Sequence, residues 1–253
     1  MPAGAKLRVA AVIPARLDSE RLPGKVLRQL AGRAMLHHVY ERALECALLD
    51  ELWVATDSDA VRDYCSRHQI PVLMTAAIHR SGTERIHEAM KKIPADVFLN
   101  LQADEPLLTA AHLRLLAEPF LLRADAQVTT LKTPLDPAAA QNPNVVKVVA
   151  DERGRALYFS RAPIPYHRDP ASSLPYYKHL GLYGYRREAL ERYCALPSSP
   201  LEQAERLEQL RFLENGIPIH VAETSEDTIG VDTEDDWEAV SRYFEERGRM
   251  ARP

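Results

Sequence analysis

Cysteine is scarce in this chain of 253 residues, and Cys46, Cys65 and Cys194 show no CxxC spacing. An odd number of cysteines without such spacing argues against a disulfide framework and a structural zinc site, and it favours a reducing cytoplasm. Long apolar runs are also missing, because no window approaches about 18 uninterrupted apolar residues, so we expect no membrane-spanning helix. The opening residues, MPAGAKLR, contain no apolar core of the length that a signal peptide needs.

Positive charge is not in excess either. The 32 Lys and Arg residues are outnumbered by 36 Asp and Glu residues, which gives a net charge of −4. A broad nucleic-acid-binding face is therefore not expected, although a local basic pocket remains possible. The composition, 46% hydrophobic and 27% charged, is that of an ordinary globular protein, and the length fits one large domain or a domain with a small lobe.

Short apolar runs alternate with amphipathic segments through the first half of the chain. Since strands separated by helices of this length form parallel sheets, we expect an α/β unit with helices on both faces. Ligands bind such sheets at the carboxyl ends of the strands. The pattern predicts strands at 8–13, 52–56, 71–74 and 96–101, and helices at 36–47, 59–68, 83–93 and from about 109.

The pattern changes after about residue 126, where strands and hairpins predict a mixed arrangement. The sequence DERG joins two predicted strands as a hairpin. The Pro-rich segment 162–177 is expected to lack regular structure and to form either a surface excursion or a lid. Further predicted elements are strands at 126–133, 178–186 and 217–222, helices at 187–195 and 200–214, and a C-terminal helix containing Trp237, Val240 and Phe244.

The loop after the first predicted strand, IPARLDSERLPGK, contains three cations, Arg16, Arg21 and Lys25, around a Pro-Gly corner. Cations and free N–H groups at a strand-to-helix turn can bind phosphate oxygens. The loop is neither GxxxxGK[ST] nor GxGxxG, since Lys25 is followed by Val26. On position alone, a phosphate site and a solvated turn are about equally good interpretations.

Carboxylates follow the fourth predicted strand and precede the last predicted helix. Gln102, Asp104 and Glu105 come at the carboxyl end of the strand, and Asp232 lies in GVDTEDD. Such carboxylates suit Mg²⁺, which takes one or two of them together with substrate phosphate oxygens. The alternative is an acidic helix cap, and it is the better interpretation for the two aspartates that follow Asp232 at 235 and 236.

Two further groups of polar residues have weaker local signals. In HRSGTERI, Ser81 and Gly82 open a helix, which favours an ordinary N-cap, although Gly82 would also allow a planar group to approach the backbone. Another set combines cations with polar groups on predicted helices, and together these could bind an acidic, hydroxyl-rich ligand. For each residue taken alone, an ordinary polar position on the surface is the better interpretation. This set is Arg161, Lys178, His179, Glu208 and Gln209.

Together and in this order, the motifs resemble the 3-deoxy-manno-octulosonate cytidylyltransferase (CMP-Kdo synthetase) family. The resemblance runs from residue 13 to about 238. The segments that support it are IPARLDSERLPGKVL, VATDSDAV, HRSGTERI, NLQADEPLL, NPNVVKVV, ALYFSRAPIPY, KHLGLYGYR, SPLEQAERLEQLR and GVDTEDDWE.

The resemblance implies an enzyme that joins CTP to the sugar acid 3-deoxy-D-manno-octulosonate (Kdo), releases pyrophosphate and supplies CMP-Kdo for lipopolysaccharide biosynthesis. It implies a Rossmann-like nucleotidyltransferase (nucleotide-diphospho-sugar transferase) fold with a mostly parallel central sheet. A single domain over 1–253 would include a smaller mixed α+β lobe at about 130–190, with a homodimer contact inside it. The implied location is cytoplasmic, with no nucleic-acid or membrane partner.

The resemblance also assigns site residues, with Mg²⁺ as the cofactor. Arg16, Lys25, Asp104 and Asp232 would be catalytic. The other implied sets are Arg16, Arg21 and Lys25 for the CTP triphosphate, Thr56, Asp57, Ser81, Gly82 and Gln102 for cytidine, Asp104 and Asp232 for Mg²⁺, and Arg161, His179, Tyr183, Glu208 and Gln209 for Kdo. Arg161 would offer bidentate geometry to the Kdo carboxylate, and His179 a switchable donor.

One residue departs from the pattern, because Ala103 stands where the family usually has glycine. If that glycine needed a positive φ, Ala103 would be strained by about 1 kcal/mol or more. If the glycine served only for close approach of a ligand, one methyl group would narrow the pocket.

Other functions compete with this interpretation. A CMP-sialic acid synthetase or a hexose-phosphate nucleotidyltransferase is the nearest alternative enzyme, and Arg161 and His179 disfavour the hexose phosphates. A nucleotide-binding regulator without catalysis is a different class, and the retention of Asp104 and Asp232 argues against it. The sequence does not decide whether the sugar substrate is Kdo or a close analogue altered at C8.

Overall fold

The computed structural model of the chain describes residues 6–18, 21–169 and 174–250, with side chains up to residue 246. These residues form two compact units. The first contains the described residues up to Arg114 together with those from Thr228 onward, and the second is Leu115–Asp227. The lobe expected at about 130–190 falls inside the wider second unit.

The first unit is an α/β unit. Its elements up to the helix that leads into the second unit are β1 (Val9–Ala15), β2 (Gln29–Leu30), β3 (Arg33–Ala34), α1 (Met35–Leu44), β4 (Glu51–Thr56), α2 (Asp59–Arg67), β5 (Val72–Met74), α3 (Gly82–Ala89), β6 (Val97–Asn100) and α4 (Ala110–Leu122). The predicted strands and helices of the first half are confirmed, with ends that shift by a few residues. The small β2–β3 hairpin was not predicted.

The sheet of the first unit is parallel, in the order β6-β1-β4-β5. All seven residues of β1 are buried, as expected for a strand whose two faces are both covered by helices. Because the strands are parallel, the segments that follow β1, β4 and β6 all leave from the same edge of the sheet. Arg16, Asp57 and Gln102 therefore come to one edge.

The second unit is mixed, as predicted for the second half of the chain. Its strands pair in the order β11-β7-β10, with β8 on β10 and β9 on β8, and the β11–β7 pair is parallel while the others are antiparallel. The elements are β7 (Val128–Leu135), β8 (Lys147–Ala150), β9 (Ala156–Ser160), β10 (Tyr176–Arg186), α5 (Arg187–Ala195), α6 (Pro200–Glu205), α7 (Gln209–Glu214) and β11 (Ile219–Glu223).

The predicted β8–β9 hairpin is confirmed, and its turn is the DERG segment. The Asp151 carboxylate accepts the backbone N–H groups of Arg153 and Arg155 at 2.9 Å and 2.8 Å. Gly154 has a φ of +75°, which glycine adopts without strain. Within the Pro-rich segment 162–177, residues 162–169 and 174–175 contain no helix or strand, and 170–173 lie outside the described residues. The expectation is wrong for Tyr176 and Tyr177, which begin β10.

The single helix predicted at 200–214 is wrong, because the chain breaks at Arg206 into α6 and α7. Arg206 has a left-handed φ of +53°, and the Leu207 N–H bonds the Glu202 carbonyl at 3.2 Å. This turn carries Leu207 into the interior, where it is 6% exposed. The predicted stop at Asn215-Gly216 is confirmed, with Gly216 at a φ of +68°.

The chain returns to the first unit through α8 (Glu234–Met250). Trp237 and Val240 of α8 pack with Val231, and with Leu22 and Leu30 from the segment that follows β1. This apolar cluster brings the loop before α8 beside the cationic loop that follows β1. The two loops are more than 200 residues apart in sequence.

Two expected absences can be compared with the structure. The three cysteines are free thiols, with Cys46 and Cys65 buried. Burial raises the pKa of Cys65 to about 11, so its thiol stays protonated at neutral pH. Among the helices that the structure describes, none is long and apolar enough to cross a membrane.

Candidate active site

The segment after β1 turns sharply at Gly24 and brings Lys25 back to the edge of the sheet. Gly24 has a φ of +69°, and its N–H bonds the Leu17 carbonyl at 3.0 Å. A single 3-10 turn, Lys25–Leu27, follows directly. Positive φ is the conformation in which glycine is favoured, so the Pro-Gly corner turns Lys25 toward the sheet. Residues 19 and 20 of this loop lie outside the described residues.

The Lys25 ammonium lies between the two carboxylates that the sequence singled out. Its Nζ is 2.6 Å from Asp104 Oδ2, 2.8 Å from Asp232 Oδ1 and 2.7 Å from the Val231 carbonyl oxygen. The cationic loop and the two carboxylates thus lie side by side. Burial lowers the pKa of Lys25, but Asp104 and Asp232 outweigh it and the pKa is raised, so the amine is protonated at physiological pH.

Asp232 accepts a second cation, because Arg21 Nη2 lies 2.8 Å from its Oδ2. The loop around it is fixed by Asp236, whose carboxylate accepts the backbone N–H groups of Asp232 and Thr233 at 3.1 Å and 2.8 Å. The capping interpretation is thus confirmed for Asp236. The two oxygens of Asp232 instead accept hydrogen bonds from the cationic side chains of Lys25 and Arg21.

A cavity of about 250 Å³ opens beside this cluster. Six of the residues that the sequence assigned to nucleotide or metal line it together: Arg16, Lys25, Ser81, Gly82, Gln102 and Asp104. Arg16 also donates a hydrogen bond to the His79 carbonyl, which fixes its guanidinium over the cavity wall. Cations, an amide and a carboxylate around one cavity are the groups that bind a phosphorylated ligand together with a metal.

The start of α3 lies against the end of β1. Ser81 caps the helix by accepting the Glu84 N–H at 3.3 Å, so the N-cap interpretation is confirmed. A Cβ on Gly82 would come within 3.0 Å of the Pro14 ring. Glycine therefore allows the helix to begin this close to the strand, and Gly82 lines the cavity.

The segment that follows β4 lines a second cavity, of about 360 Å³, through Asp57 and Ser58, and Arg16 lines it from the loop after β1. Thr56 is fully buried, and its hydroxyl accepts the Ser58 N–H at 3.1 Å. Its observed contact is thus with the backbone turn. The expectation that Thr56 contacts cytidine stays a prediction.

Sequence reasoning missed Arg85, which fixes Asp57 from within the interior. The Arg85 side chain is fully buried, and its guanidinium lies 2.9 Å from Asp57 Oδ2. It also donates to the Thr75 hydroxyl at 2.5 Å. The sequence did contain a signal for this ion pair. Arg85 lies next to Ile86 on the buried face of an amphipathic helix, and an arginine in that position needs an anionic partner.

Ala103 is unstrained. Among the described non-glycine residues, positive φ occurs only at Ala31, Gln69 and Arg206. Ala103 is 5% exposed and lines the first cavity. Backbone strain at Ala103 is therefore wrong as an explanation for this chain. The explanation that remains is that the methyl group of Ala103 narrows the cavity.

Replacing Ala103 by glycine separates these two explanations. Relief of strain would stabilise the protein, whereas an unstrained alanine predicts that the variant loses about 0.4–1 kcal/mol, because glycine has more freedom in the unfolded chain. Urea unfolding at pH 7 measures the difference. A more stable glycine variant would contradict the backbone conformation described here, and equal CTP affinities would remove the methyl group from the account of the pocket.

In the second unit, Arg161 makes backbone contacts. Its Nε donates to the Glu205 carbonyl at 2.8 Å and its Nη1 to the Pro143 carbonyl at 3.0 Å. Lys147, which sequence reasoning missed, is fully buried and donates to the Arg161 carbonyl at 2.6 Å. Burial lowers the pKa of Lys147. These bonds position Arg161, and they use part of the guanidinium that was expected to bind a carboxylate.

His179 is a neutral imidazole in this structure. Burial lowers its pKa to about 3, so it carries no charge at neutral pH. The Thr130 hydroxyl lies 2.9 Å from His179 Nε2, and it is also within hydrogen-bond distance of the Leu182 and Leu180 carbonyl oxygens, at 2.8 Å and 3.2 Å. A pKa this low does not fit a donor that switches its charge near neutral pH. The contact of His179 with Kdo stays a prediction.

The other sugar-directed residues lie on β10, α7 and the turn before α7. Tyr183 stacks on Tyr185, with ring centroids 5.7 Å apart, and burial raises its pKa well above the usual value. Glu208 accepts the Tyr193 hydroxyl at 3.3 Å, and Gln209 is 4% exposed. Their contact with a sugar stays a prediction.

The cluster around Lys25 has the donor chemistry of a magnesium site. Asp104, Asp232 and the Val231 carbonyl supply hard oxygens that already converge on one cation. Within the part of the chain that the structure describes, no group of three or more His, Cys, Asp and Glu side chains is arranged to hold a metal. Two carboxylates and a carbonyl are oxygen donors of the kind that Mg²⁺ takes together with substrate phosphates and water, and the binding of Mg²⁺ here stays a prediction.

Comparisons with known proteins agree with this chemistry. Residues 10–225 match the sequence profile of a cytidylyltransferase family. The 3-deoxy-manno-octulosonate cytidylyltransferase of Koribacter versatilis (strain Ellin345) is 51% identical over 242 residues, which are 95% of this chain and 92% of that protein. The enzyme of the same name from Acidobacterium capsulatum is 51% identical over 241 residues, 95% of this chain and 98% of that one.

A solved structure is also similar over nearly the whole chain. It is a CMP:2-keto-3-deoxy-manno-octonic acid synthetase in complex with CTP, 43% identical, with a TM-score of 0.92. The alignment covers 95% of this chain and 99% of that one. The expected nucleotidyltransferase fold, α/β with a mostly parallel central sheet, is confirmed.

Proposed function

This chain belongs to the 3-deoxy-manno-octulosonate cytidylyltransferase family, and we propose that it transfers CMP from CTP to Kdo and releases pyrophosphate. The observation that supports this most directly is the convergence of Lys25, Asp104 and Asp232 beside a cavity that Arg16 and Gln102 also line. A cationic loop and a pair of carboxylates at one strand edge suit a triphosphate and its metal.

In the proposed reaction, the anomeric hydroxyl oxygen of Kdo attacks the α-phosphorus of CTP. A new O–P bond forms, the bond to the β-phosphate oxygen breaks, and the hydroxyl proton passes to solvent. Such transfers depend mainly on positioning and on charge neutralisation. Arg16, Arg21 and Lys25 would bind the triphosphate and stabilise the charge that develops on the pyrophosphate.

Asp104 and Asp232 would hold Mg²⁺ in this proposal. Mg²⁺ would supply Lewis-acid stabilisation of phosphoryl oxygens and a lower hydroxyl pKa, so that no dedicated general base is required. Arg85 would act as a positioning residue, because it fixes Asp57 at the wall of the second cavity.

The second unit supplies the proposed sugar-directed residues. Arg161 keeps one guanidinium nitrogen, Nη2, without a backbone carbonyl partner among its described bonds, and this edge suits a carboxylate. His179 would bind a sugar hydroxyl as a neutral imidazole rather than contribute charge. Tyr183, Glu208 and Gln209 would complete the set.

The remaining parts of the proposal are a homodimer and a cytoplasmic location, with CMP-Kdo used in lipopolysaccharide biosynthesis. The free thiols of Cys46, Cys65 and Cys194 support a reducing compartment. The two relatives named above are both 3-deoxy-manno-octulosonate cytidylyltransferases, and each aligns with this chain over more than 90% of its length. This similarity supports the choice of Kdo over sialic acid.

A coupled pyrophosphate assay tests the proposed function. We expect release with CTP, Mg²⁺ and Kdo, and at least tenfold slower release when UTP replaces CTP or sialic acid replaces Kdo. Faster release with sialic acid would indicate the alternative synthetase. Binding of CTP without any release upon addition of Kdo would support a nucleotide-binding regulator and would contradict the proposal.

A further inference from the structure

The Lys25 ammonium has no hydrogen-bonding capacity left for a phosphate in the arrangement seen here. An ammonium has three N–H donors, and three oxygens lie within hydrogen-bond distance of Nζ: Asp104 Oδ2 at 2.6 Å, Val231 O at 2.7 Å and Asp232 Oδ1 at 2.8 Å. The side chain is only 9% exposed. To bind a triphosphate oxygen, Lys25 has to give up at least one of these partners.

The same oxygens are those that would ligate a divalent cation. A magnesium ion lies about 2.1 Å from each ligand oxygen. An ion bound to Asp104 Oδ2 is then at most about 4.7 Å from Nζ, the sum of that distance and the 2.6 Å hydrogen bond. At such a separation the ammonium and the divalent ion repel each other and compete for the same lone pairs.

We propose that Lys25 is a place-holder cation, which occupies the position between Asp104 and Asp232 and is exchanged for the divalent ion when the nucleotide binds. The inference rests on the metal site in the proposed function. The incoming triphosphate supplies both the missing metal ligands and new acceptors for the ammonium, so metal and nucleotide bind with positive coupling. Without nucleotide, the lysine suppresses metal binding.

The surroundings of Lys25 allow this exchange. Gly24 and the 3-10 turn fix its backbone, while four methylenes leave the ammonium mobile. Lys25 lines the same cavity as Arg16, so the ammonium can move within that cavity. Arg21 contacts Asp232 Oδ2 through Nη2. Because a guanidinium has five N–H donors, Arg21 can keep this contact and bind the triphosphate through other N–H groups, so part of the negative charge stays neutralised during the exchange.

Binding of Mn²⁺ in the absence of nucleotide tests the place-holder. Free Mn²⁺ is measured by electron paramagnetic resonance for the wild type, Lys25→Met and the control Lys91→Met, which removes the same charge from an exposed position in the same unit. We expect Lys25→Met to bind Mn²⁺ at least tenfold more tightly than the wild type, and Lys91→Met to match the wild type. Should Lys25→Met not fold, Lys25→Gln, whose amide bonds the same carboxylates, replaces it.

The variant Asp232→Asn tests the proposed metal site separately from the place-holder role of Lys25. In Lys25→Met, adding Asp232→Asn should abolish the gain in Mn²⁺ affinity. If wild type and Lys25→Met bind Mn²⁺ equally while Asp232→Asn still weakens Mn²⁺ binding in the presence of CTP, the place-holder role is overturned and the metal site stands. If Asp232→Asn leaves binding with CTP unchanged, the metal site is overturned and the inference with it.

Discussion

Replacing Asp232 by asparagine lowers turnover roughly a thousandfold and leaves the fold intact. Stabilisation of the transition state by a metal is worth several kcal/mol, and each 1.4 kcal/mol is a factor of about ten in rate. Asparagine has the shape of aspartate, and its amide oxygen still accepts from Lys25 or Arg21, which lie 2.8 Å from the two carboxylate oxygens. Pyrophosphate release at saturating Mg²⁺ measures the loss.

Glu234→Gln is the matched control. It removes the same charge two residues further along, from a carboxylate whose partner is the Arg28 guanidinium at 2.5 Å and 2.7 Å. Because this pair is exposed, we expect turnover within about twofold of the wild type, in line with the small value of surface ion pairs. Near wild-type turnover of Asp232→Asn would show that Asp232 does not hold the metal.

Replacing Arg211 by leucine costs about 3–5 kcal/mol of unfolding free energy, because it leaves the Glu202 carboxylate buried without its cation. The side chains of Arg211 and Glu202 are only 12% and 10% exposed, and Arg211 Nη2 lies 2.5 Å from Glu202 Oε1. Glu202 also accepts the Ser199 N–H at 3.0 Å, so the pair joins α7 to the cap of α6. Urea unfolding at pH 7 gives the free energy.

The pair also predicts a pH dependence. Burial raises the pKa of Glu202, but Arg211 and the Ser199 N–H outweigh it, and the pKa is lowered. Its contribution to stability is therefore complete above the unfolded pKa of about 4.5 and is lost as the pH falls through the lower folded value. In Arg211→Leu this acid-side loss shrinks.

Two controls test the cause of the Arg211 effect. The same substitution at Arg192, an exposed residue of α5, should change the free energy of unfolding by about 0.5 kcal/mol or less. Replacing Glu202 and Arg211 together by leucine should cost less than replacing Arg211 alone, since no buried charge is then left unpaired. A double variant that is less stable than Arg211→Leu would contradict this explanation.

The parallel sheet of the first unit was predictable because its signal is local and repeats. Each buried strand is a short apolar run, and polar residues follow it directly, so the strand-edge rule places Arg16, Asp57 and Gln102 at one edge. The direct ion pairs of Lys25 with Asp104 and Asp232 were not predicted, because Lys25 was expected to bind the triphosphate and the two carboxylates to bind Mg²⁺.

Other features depend on contacts that are distant in sequence. The segment 201–214 contains no glycine or proline, yet the helix breaks at Arg206, where burial of Leu207 and the Glu202–Arg211 pair offset an unfavourable left-handed residue. The neutral state of His179 follows from its burial. In local sequence, Arg206 resembles a residue on a helix surface, and His179 resembles a residue in an exposed strand.

The identity of the product tests the central claim most directly. Phosphorus-31 NMR of CTP, Kdo and Mg²⁺ with catalytic enzyme should show the three triphosphate resonances replaced by pyrophosphate and one phosphodiester, in equal molar amounts. This result would demonstrate transfer of CMP to the sugar. Free CMP without a phosphodiester, or unchanged CTP when Kdo is present, would contradict it.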